Sequence, residues 1–378
     1  MADTTTSSAF LSGQGIPVPV STVEEELSRL WGPAAEREGG PDLEQPAVTR
    51  IVLANLVVAD VGPFAPAIDG LLDQVVTRYP CRAFLLRRAT GGDRGVAAEV
   101  SAVCHLPAPG LPQVCAERIV LTATGNALDM LPGAVRPLLE TDLPMVLWWV
   151  GDPREGVALY DQLADESSRI LVDLPDPTTP IDALKVALDL KRSNYVRDTA
   201  WFGVTPWREL VAQFFDPPTP ETLLKQLVRV SIHAAAPTAE VPSRVSVWLA
   251  AWLAGQLGWS QSSVTRDDRG GLKAKFTGEA GDVSVKISTD VDSSLSLPQL
   301  TSVNLQTSDG HCFDLDRVEG SPHSVRSTSP AETGHGCLPR LLNAPEWDAP
   351  RRVSAALESA RVDPPYRAAL PHLLWMLG

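Results

Sequence analysis

Between Thr49 and about Ala200 the chain alternates short apolar runs with segments of helical period, and this restricts the fold more than any other feature. Arg50–Ala59 (RIVLANLVVA) is an almost unbroken apolar run, the pattern of a strand buried on both faces. Ala65–Arg78 follows, with Ile68, Leu71, Leu72 and Val75 at helical spacing. Cys81–Arg88, Val96–Leu106, Gln113–Thr122, Met145–Val150 and Arg169–Leu174 read as further strands. Asn126–Glu140, Tyr160–Ala164 and Ile181–Asn194 read as helical. Strand and helix alternating at this spacing predict βαβ units on a mostly parallel sheet, a Rossmann-like α/β domain over residues 49–200. Gly91–Gly95 (GGDRG) lies between two strand candidates and predicts a hairpin, and Pro107–Pro112 predicts a turn.

Residues 1–48 read as a disordered tail to about residue 19, a short helix and a linker. Ser21 with Glu24 has the spacing of a capping box; Val23, Leu27, Leu30 and Trp31 form the stripe, and Gly32-Pro33 ends the helix. Residues 201–378 predict a helical segment, then an antiparallel β region with closing helices, so the fold class is α/β plus α+β. Thr205–Trp259 carries two or three helices, although Leu227–Ala235 alternates and also reads as a strand. Leu272–Thr277, Val283–Thr289, Ser302–Thr307 and His311–Val318 alternate between turn pairs such as Gly270-Gly271 and Asp309-Gly310. Val353–Ala360 and Tyr366–Leu377 return to helical spacing.

Charge excludes some partners. A formal net charge of −14, from 32 Lys+Arg against 46 Asp+Glu, opposes binding to nucleic acid or an anionic membrane. The five cysteines (Cys81, Cys104, Cys115, Cys312, Cys337) are odd in number, widely spaced and without a C-x-x-C pair, which predicts reduced thiols in the cytoplasm. The start, MADTTTSSAFLSGQG, has neither a basic region nor a long apolar one, and no apolar run approaches the ~20 residues of a membrane span.

A Rossmann-like domain raises the question of a dinucleotide. After Val58 the chain reads ADVGPFAPAIDG, without G-x-G-x-x-G and with two prolines where backbone amides would face a pyrophosphate. Neither a G-x-x-x-x-G-K-[ST] loop nor a G-x-S-x-G elbow occurs. His311, Cys312, His323, His335 and Cys337 lie within 27 residues, but adjacent His311 and Cys312 point to opposite faces of a strand and could hardly share one ion. Cys312 and Cys337 also admit a redox role. No catalytic residue, metal or cofactor is therefore assigned. Trp148 and Trp149 face opposite sides of one strand. They pack under flanking helices or, with Asp152, border a small-molecule pocket at the C-terminal sheet edge, where α/β ligand crevices lie.

Asp198–Asp216 (DTAWFGVTPWRELVAQFFD) is dense in aromatics. Thr205 is a candidate cap and Pro206 suits the first helical position. Trp207, Leu210, Val211, Phe214 and Phe215 share one face; Arg208, Glu209 and Gln213 share the other and are expected to face outward. Asp216-Pro217-Pro218 stops the helix.

Four stretches in order resemble the glucose-6-phosphate dehydrogenase assembly protein family, OpcA. They are VSTVEEELSRLW at Val20–Trp31, LPMVLWWVGDP at Leu143–Pro153, TPWREL-AQ-FD at Thr205–Asp216 and VWLAAWLAGQLGW at Val247–Trp259, together spanning about two-thirds of the chain. The resemblance implies a non-enzymatic cytoplasmic partner that docks on glucose-6-phosphate dehydrogenase and favours its active state, raising NADPH output of the oxidative pentose phosphate pathway. Trp201, Trp207, Arg208 and Glu209 are the candidates for the interface or its support; Arg208 and Glu209 are the stronger ones, because the amphipathic pattern turns them outward, and Trp207 anchors the helix. The alternatives are a Rossmann-like enzyme or a metabolite sensor that binds a nucleotide or sugar phosphate at the sheet edge.

Overall fold

A computed structural model describes residues 13–35, 48–62, 68–106, 108, 113–175, 179–189, 195–216, 222–237, 242–267, 271–321, 323–330, 337–360 and 362–378. The chain divides into two compact units, one of Met1–Asp173, Tyr195–Arg197 and Ala349–Glu358, the other of Leu174–Asn194, Asp198–Asp348 and Ser359–Gly378.

The first unit is built on strands β1 (Ile16–Val18), β2 (Val48–Arg50), β3 (Asn55–Asp60), β4 (Arg82–Arg88), β5 (Gly95–His105), β6 (Gln113–Thr124), β7 (Met145–Val150), β8 (Arg169–Asp173) and β9 (Val196–Asp198). Their order is β1-β5-β6-β4-β3-β7-β8-β9, with β2 beside β6. From β6 to β9 this is the doubly wound order, whose direction reverses between β3 and β7. β3 pairs in parallel with both β4 and β7. All six residues of β3 and of β7 are buried, as the apolar runs require of central parallel strands. Helices α1 (Val23–Ala35), α2 (Ile68–Arg78) and α3 (Val157–Glu166) follow the apolar stripes, with Val23, Leu27 and Leu30 buried on α1.

Several expectations are corrected. Arg50–Ala59 is not one strand: β2 ends at Arg50, and Asn55 opens β3 by donating to the carbonyls of Glu140 (2.9 Å) and Leu143 (3.2 Å). Gly91–Gly95 is not a hairpin, because β6 lies between β4 and β5, parallel to the first and antiparallel to the second. Ile16–Val18, inside the expected disordered tail, pairs antiparallel with β5. Glu24 makes no capping box; a 3-10 turn at Val20–Thr22 precedes α1, which continues to Ala35 through Gly32 and Pro33. Glu24 instead reaches the buried Arg82 (2.6 Å), which also pairs with the buried Glu117 (2.6 Å). Trp31 donates to the same Glu117 (2.7 Å), so α1 is tied to the sheet through one satisfied polar network. The thiol expectation is overturned at one pair: Cys104 and Cys115 are cross-strand neighbours on β5 and β6 and form a disulfide. The expected helix Ile181–Asn194 is α4 (Ile181–Ala187); its remainder after Asp189, most of the 107–112 turn, the 36–47 linker and residues 1–12 lie outside the described residues.

The second unit resolves the ambiguity at Leu227–Ala235 in favour of a strand. Strands β10 (Leu227–Ala236), β11 (Ser260–Arg266), β12 (Leu272–Gly278), β13 (Gly281–Val291), β14 (Gln299–Thr307), β15 (Cys312–Arg317), β16 (Ser324–Pro330) and β17 (Cys337–Asn343) form one sheet, ordered β11-β12-β13-β10-β14-β15-β16-β17. Every pairing is antiparallel except β10 with β13. Asp309-Gly310 makes the turn from β14 to β15, with Gly310 at φ +92°; Gly270 lies outside the described residues. Helices α5 (Thr199–Gly203), α6 (Thr205–Gln213), α7 (Arg244–Gln256) and α9 (Pro364–Leu377) belong here, whereas α8 (Ala349–Glu358) returns to the first unit. α7 is apolar nearly all round and correspondingly buried. At Gly255 it approaches α9 so closely that a Cβ would stand 2.7 Å from the backbone of Ala368.

Candidate functional site

In an open α/β sheet, ligands bind beyond the C-terminal strand ends, where the direction of winding reverses. Here that crevice lies between the ends of β3 and β7, and among the described residues side chains of the chain itself pack into it. Trp149 on β7 is fully buried and packs edge-on against Tyr160, with ring centres 5.2 Å apart. The 3-10 turn Pro153–Gly156 sits on it: a Cβ at Gly156 would meet the Trp149 ring at 3.2 Å and Val61 at 3.6 Å. Arg88, at the end of β4, donates to the Glu155 carbonyl (2.8 Å) and holds the turn from the other side. Trp148 is equally enclosed. Asp152 caps the turn by accepting from the Arg154 amide (2.9 Å), and that guanidinium, in bonding its carboxylate, holds it below the usual carboxylate range. Among the described residues Trp148 and Trp149 are buried in the packing of this edge and Asp152 caps its turn; residues 63–67, which follow β3, lie outside the described residues.

The charge at this edge is also unusual for a phosphate site. Asp60 ends β3 and Asp69 lies in the first turn of α2, the two places from which a dinucleotide fold presents amides to a pyrophosphate. Burial pushes the Asp60 carboxyl up to about 6, with Arg87 opposing and Asp69 adding to the shift. Its Oδ1 accepts no hydrogen bond among the described residues. Arg87 is engaged with Asp69.

The second concentration of chemistry is in the other unit, around the aromatic stretch. Asp198 is wholly buried. Its Oδ1 caps α5 by accepting from the Ala200 amide (3.0 Å). Its Oδ2 accepts from Arg244 Nε (2.9 Å) and Trp248 Nε1 (2.8 Å). Arg244 also donates to the carbonyls of Leu174 (2.8 Å) and Pro175 (3.1 Å). Trp201 donates to Asp363 (3.0 Å), whose other oxygen caps α9 at the Tyr366 amide (2.9 Å). Trp201, Trp248 and Tyr366 meet one another at 5.0–5.5 Å between ring centres. A buried charge this fully bonded reads as architecture.

Of the four interface candidates, Trp201 and Arg208 come together and the other two do not join them. The Arg208 guanidinium lies over the Trp201 ring, 3.7 Å from its centre, and donates to Thr205 Oγ1 (2.9 Å). Arg208 is therefore half-buried, not outward as expected, and Thr205 receives that bond in place of capping the helix. Burial pulls the Arg208 guanidinium down to about 10, against the opposing charges of Asp363 and Glu209. Trp207 is buried under Arg317, which pairs with Glu346. Glu209 is exposed. The two helix caps made by Asp198 and Asp363 are local, but the bonds from Asp198 to Arg244 and Trp248 and from Trp201 to Asp363 join residues 46 or more apart and leave no local signal.

Among the described residues no group of three or more His, Cys, Asp or Glu side chains is placed to hold a metal. His311 faces Asp309 (2.8 Å) and Cys312 is half-exposed; His335 and the Cys337 side chain lie outside the described residues. No helix among the described residues is long and apolar enough to cross a membrane.

The fold defines a Rossmann-type α/β unit joined to a broad antiparallel sheet unit. Residues 73–187 match the model of a glucose-6-phosphate dehydrogenase subunit N-terminal domain and residues 194–370 that of the corresponding C-terminal domain. The chain belongs to the glucose-6-phosphate dehydrogenase assembly protein family, OpcA. A Synechocystis protein provisionally described as the OxPP cycle protein OpcA is 28% identical over 211 residues, covering 53% of this chain and 42% of that protein. A Nostoc punctiforme protein of the same description is 30% identical over 199 residues, covering 52% and 42%. The chain thus spans about two-fifths of the length of these curated relatives. Among solved structures, glucose-6-phosphate 1-dehydrogenase from Mycobacterium avium aligns at TM-score 0.49 and 10% identity, over 86% of this chain and 90% of that one. A dehydrogenase from Chromobacterium violaceum aligns at 0.46 and 14%, over 85% and 93%. At that level the likeness assigns neither ligand nor activity.

Proposed function

We propose that this chain is a non-enzymatic cytoplasmic partner of glucose-6-phosphate dehydrogenase, which it binds and shifts towards its active state, supporting NADPH production. The family match over residues 73–187 and 194–370 carries this reading. Two features support it: Trp149 and the Gly156 turn pack into the switch-point crevice, and Asp60 and Asp69 stand where a dinucleotide would bring phosphates. To activate, the chain must bind the active state better than the inactive one, since equal affinity shifts nothing. Arg208 on its Trp201 platform, with exposed Glu209 beside it, is the docking element we assign to the dehydrogenase. The test mixes the purified chain with the dehydrogenase of the same organism, measures activity against substrate concentration, and resolves the mixture on a sizing column. A co-eluting complex and raised activity are expected; no complex and no rate change would overturn the proposal. Charge reversal at Arg208 and Glu209 is expected to abolish activation in a folded protein; unchanged activation would move the interface elsewhere.

A further inference from the structure

Side chains alternate across the sheet of the second unit. One set, including Val230, Ile232, Val285, Ile287, Val303, Leu305, Phe313 and Leu315, is buried. The other set forms a face that no described helix covers, and its charges are segregated. Three of the chain's six lysines stand there on two adjacent strands. Lys273 is directly opposite Lys286, and Lys275 is opposite Ser284, which in turn faces Arg229 on β10. Like charges in direct cross-strand register disfavour the isolated sheet. Lys273 has Asp267 at 4.0 Å, while Lys275 and Lys286 have no ion pair among the described residues. Asp282 and Asp290 stand only towards the ends of β13.

Beyond the middle of the sheet the sign changes. Asp314 and Asp316 occupy the same face of β15, Asp314 bonded by Asn304 and Asp316 opposite Arg326. Burial, with the charge of Asp314, pushes the Asp316 carboxyl up, against Arg326 and His233. Between the two halves run β10 and β14, whose outward residues are mostly short and neutral (Ser231, Ala235, Ser302 and Asn304), with Arg229, His233 and Gln306 beside them. Leu341 of β17, level with Arg326, is 70% exposed on this side of the register.

We infer that a second copy of this chain packs on this face, related by a twofold axis lying in the interface parallel to β10 and β14. That axis turns the order of strands about its centre, so β13 of one protomer lies over β15 of its partner and Lys286 meets the partner's Asp314 and Asp316. A twofold across the strands would instead set lysine over lysine, so charge selects the axis. Eight strands about 4.8 Å apart and roughly 20 Å long offer on the order of 800 Å² per protomer, the ~800 Å² of a standard stable interface. The face is polar, so the association is steered by charge and weakened by salt. It is independent of any binding to the dehydrogenase.

Sedimentation of the full chain at low and high salt tests this. The expected result is a dimer that dissociates with salt, weakened at least about tenfold by K275E/K286E and likewise by D314K/D316K. Mixing the two variants is expected to restore a heterodimer, because each supplies the charges the other lacks. Thermal melts establish that the variants are folded; should one fail to fold, the other variant and the salt series decide. A wild-type chain monomeric at every concentration and salt overturns the inference. So does a dimer that neither variant weakens, or a mixture that stays monomeric. If the variants lose dehydrogenase binding with self-association unchanged, the face belongs to the dehydrogenase and the inference also fails.

Discussion

Asp60 and Asp198 end two strands of the same mostly parallel sheet and are both buried, yet their surroundings differ in almost every other respect. Asp198 accepts from a helix amide, a guanidinium and an indole. Asp60 keeps an oxygen without a hydrogen bond among the described residues, and burial raises its pKa to about 6. The difference teaches what strand ends of this fold can be used for. One carboxylate holds the chain together where it leaves the sheet. The other occupies the position at which a dinucleotide-binding relative of the architecture presents its phosphate loop, and it brings a charge of the wrong sign.

The comparison can be broken by removing each group. Asp198→Ala strips the buried Arg244 of its carboxylate and the Trp248 N–H of its acceptor. It is expected to lower unfolding free energy by about 3–5 kcal/mol in urea titrations. A loss under 1 kcal/mol would mean that the network does not hold the unit. Asp60→Asn is expected to act in the opposite direction. With the folded pKa raised from 3.8 to about 6, the native state retains the proton that the unfolded chain releases. Stability is therefore greatest below this window and falls as pH rises through it. The Asn variant should be more stable than wild type by about 1–3 kcal/mol at pH 8, with the advantage gone below about pH 4. An advantage independent of pH would sever the link to titration. The smallest effect is at Arg208→Gln, where losing the stack on Trp201 should cost about 0.5–1 kcal/mol. A cost of several kcal/mol would make Arg208 a part of the buried network and not a docking residue.

The parts of the first sheet that depend on local pattern were legible. β7, β8 and α2 lie where apolar runs and helical period placed them, because burial on both faces leaves a continuous signal. What failed depended on partners distant in sequence. Gly91–Gly95 looks like a hairpin turn, but the strand that pairs with β5 comes later and slides between its neighbours. Cys104 and Cys115 look like two of five scattered thiols until the register of β5 and β6 sets them opposite each other. At the candidate site the amphipathic reading placed Trp207 and Leu210 inside, as α6 does. It missed that Arg208 would lie down on Trp201, since the platform comes from a separate helix. The lysine pair on β12 and β13 is invisible in the same way: thirteen positions apart in the chain, the residues are neighbours only through register.

The Cys104–Cys115 bond has a consequence for how the intact chain is recognised at the bench. Together with the ten residues from His105 to Val114, it closes a covalent ring of backbone and sulfur. A single peptide-bond cleavage within that ring leaves the halves tethered. Such a nicked molecule would migrate as one band on a denaturing gel and separate into two only when reductant is added.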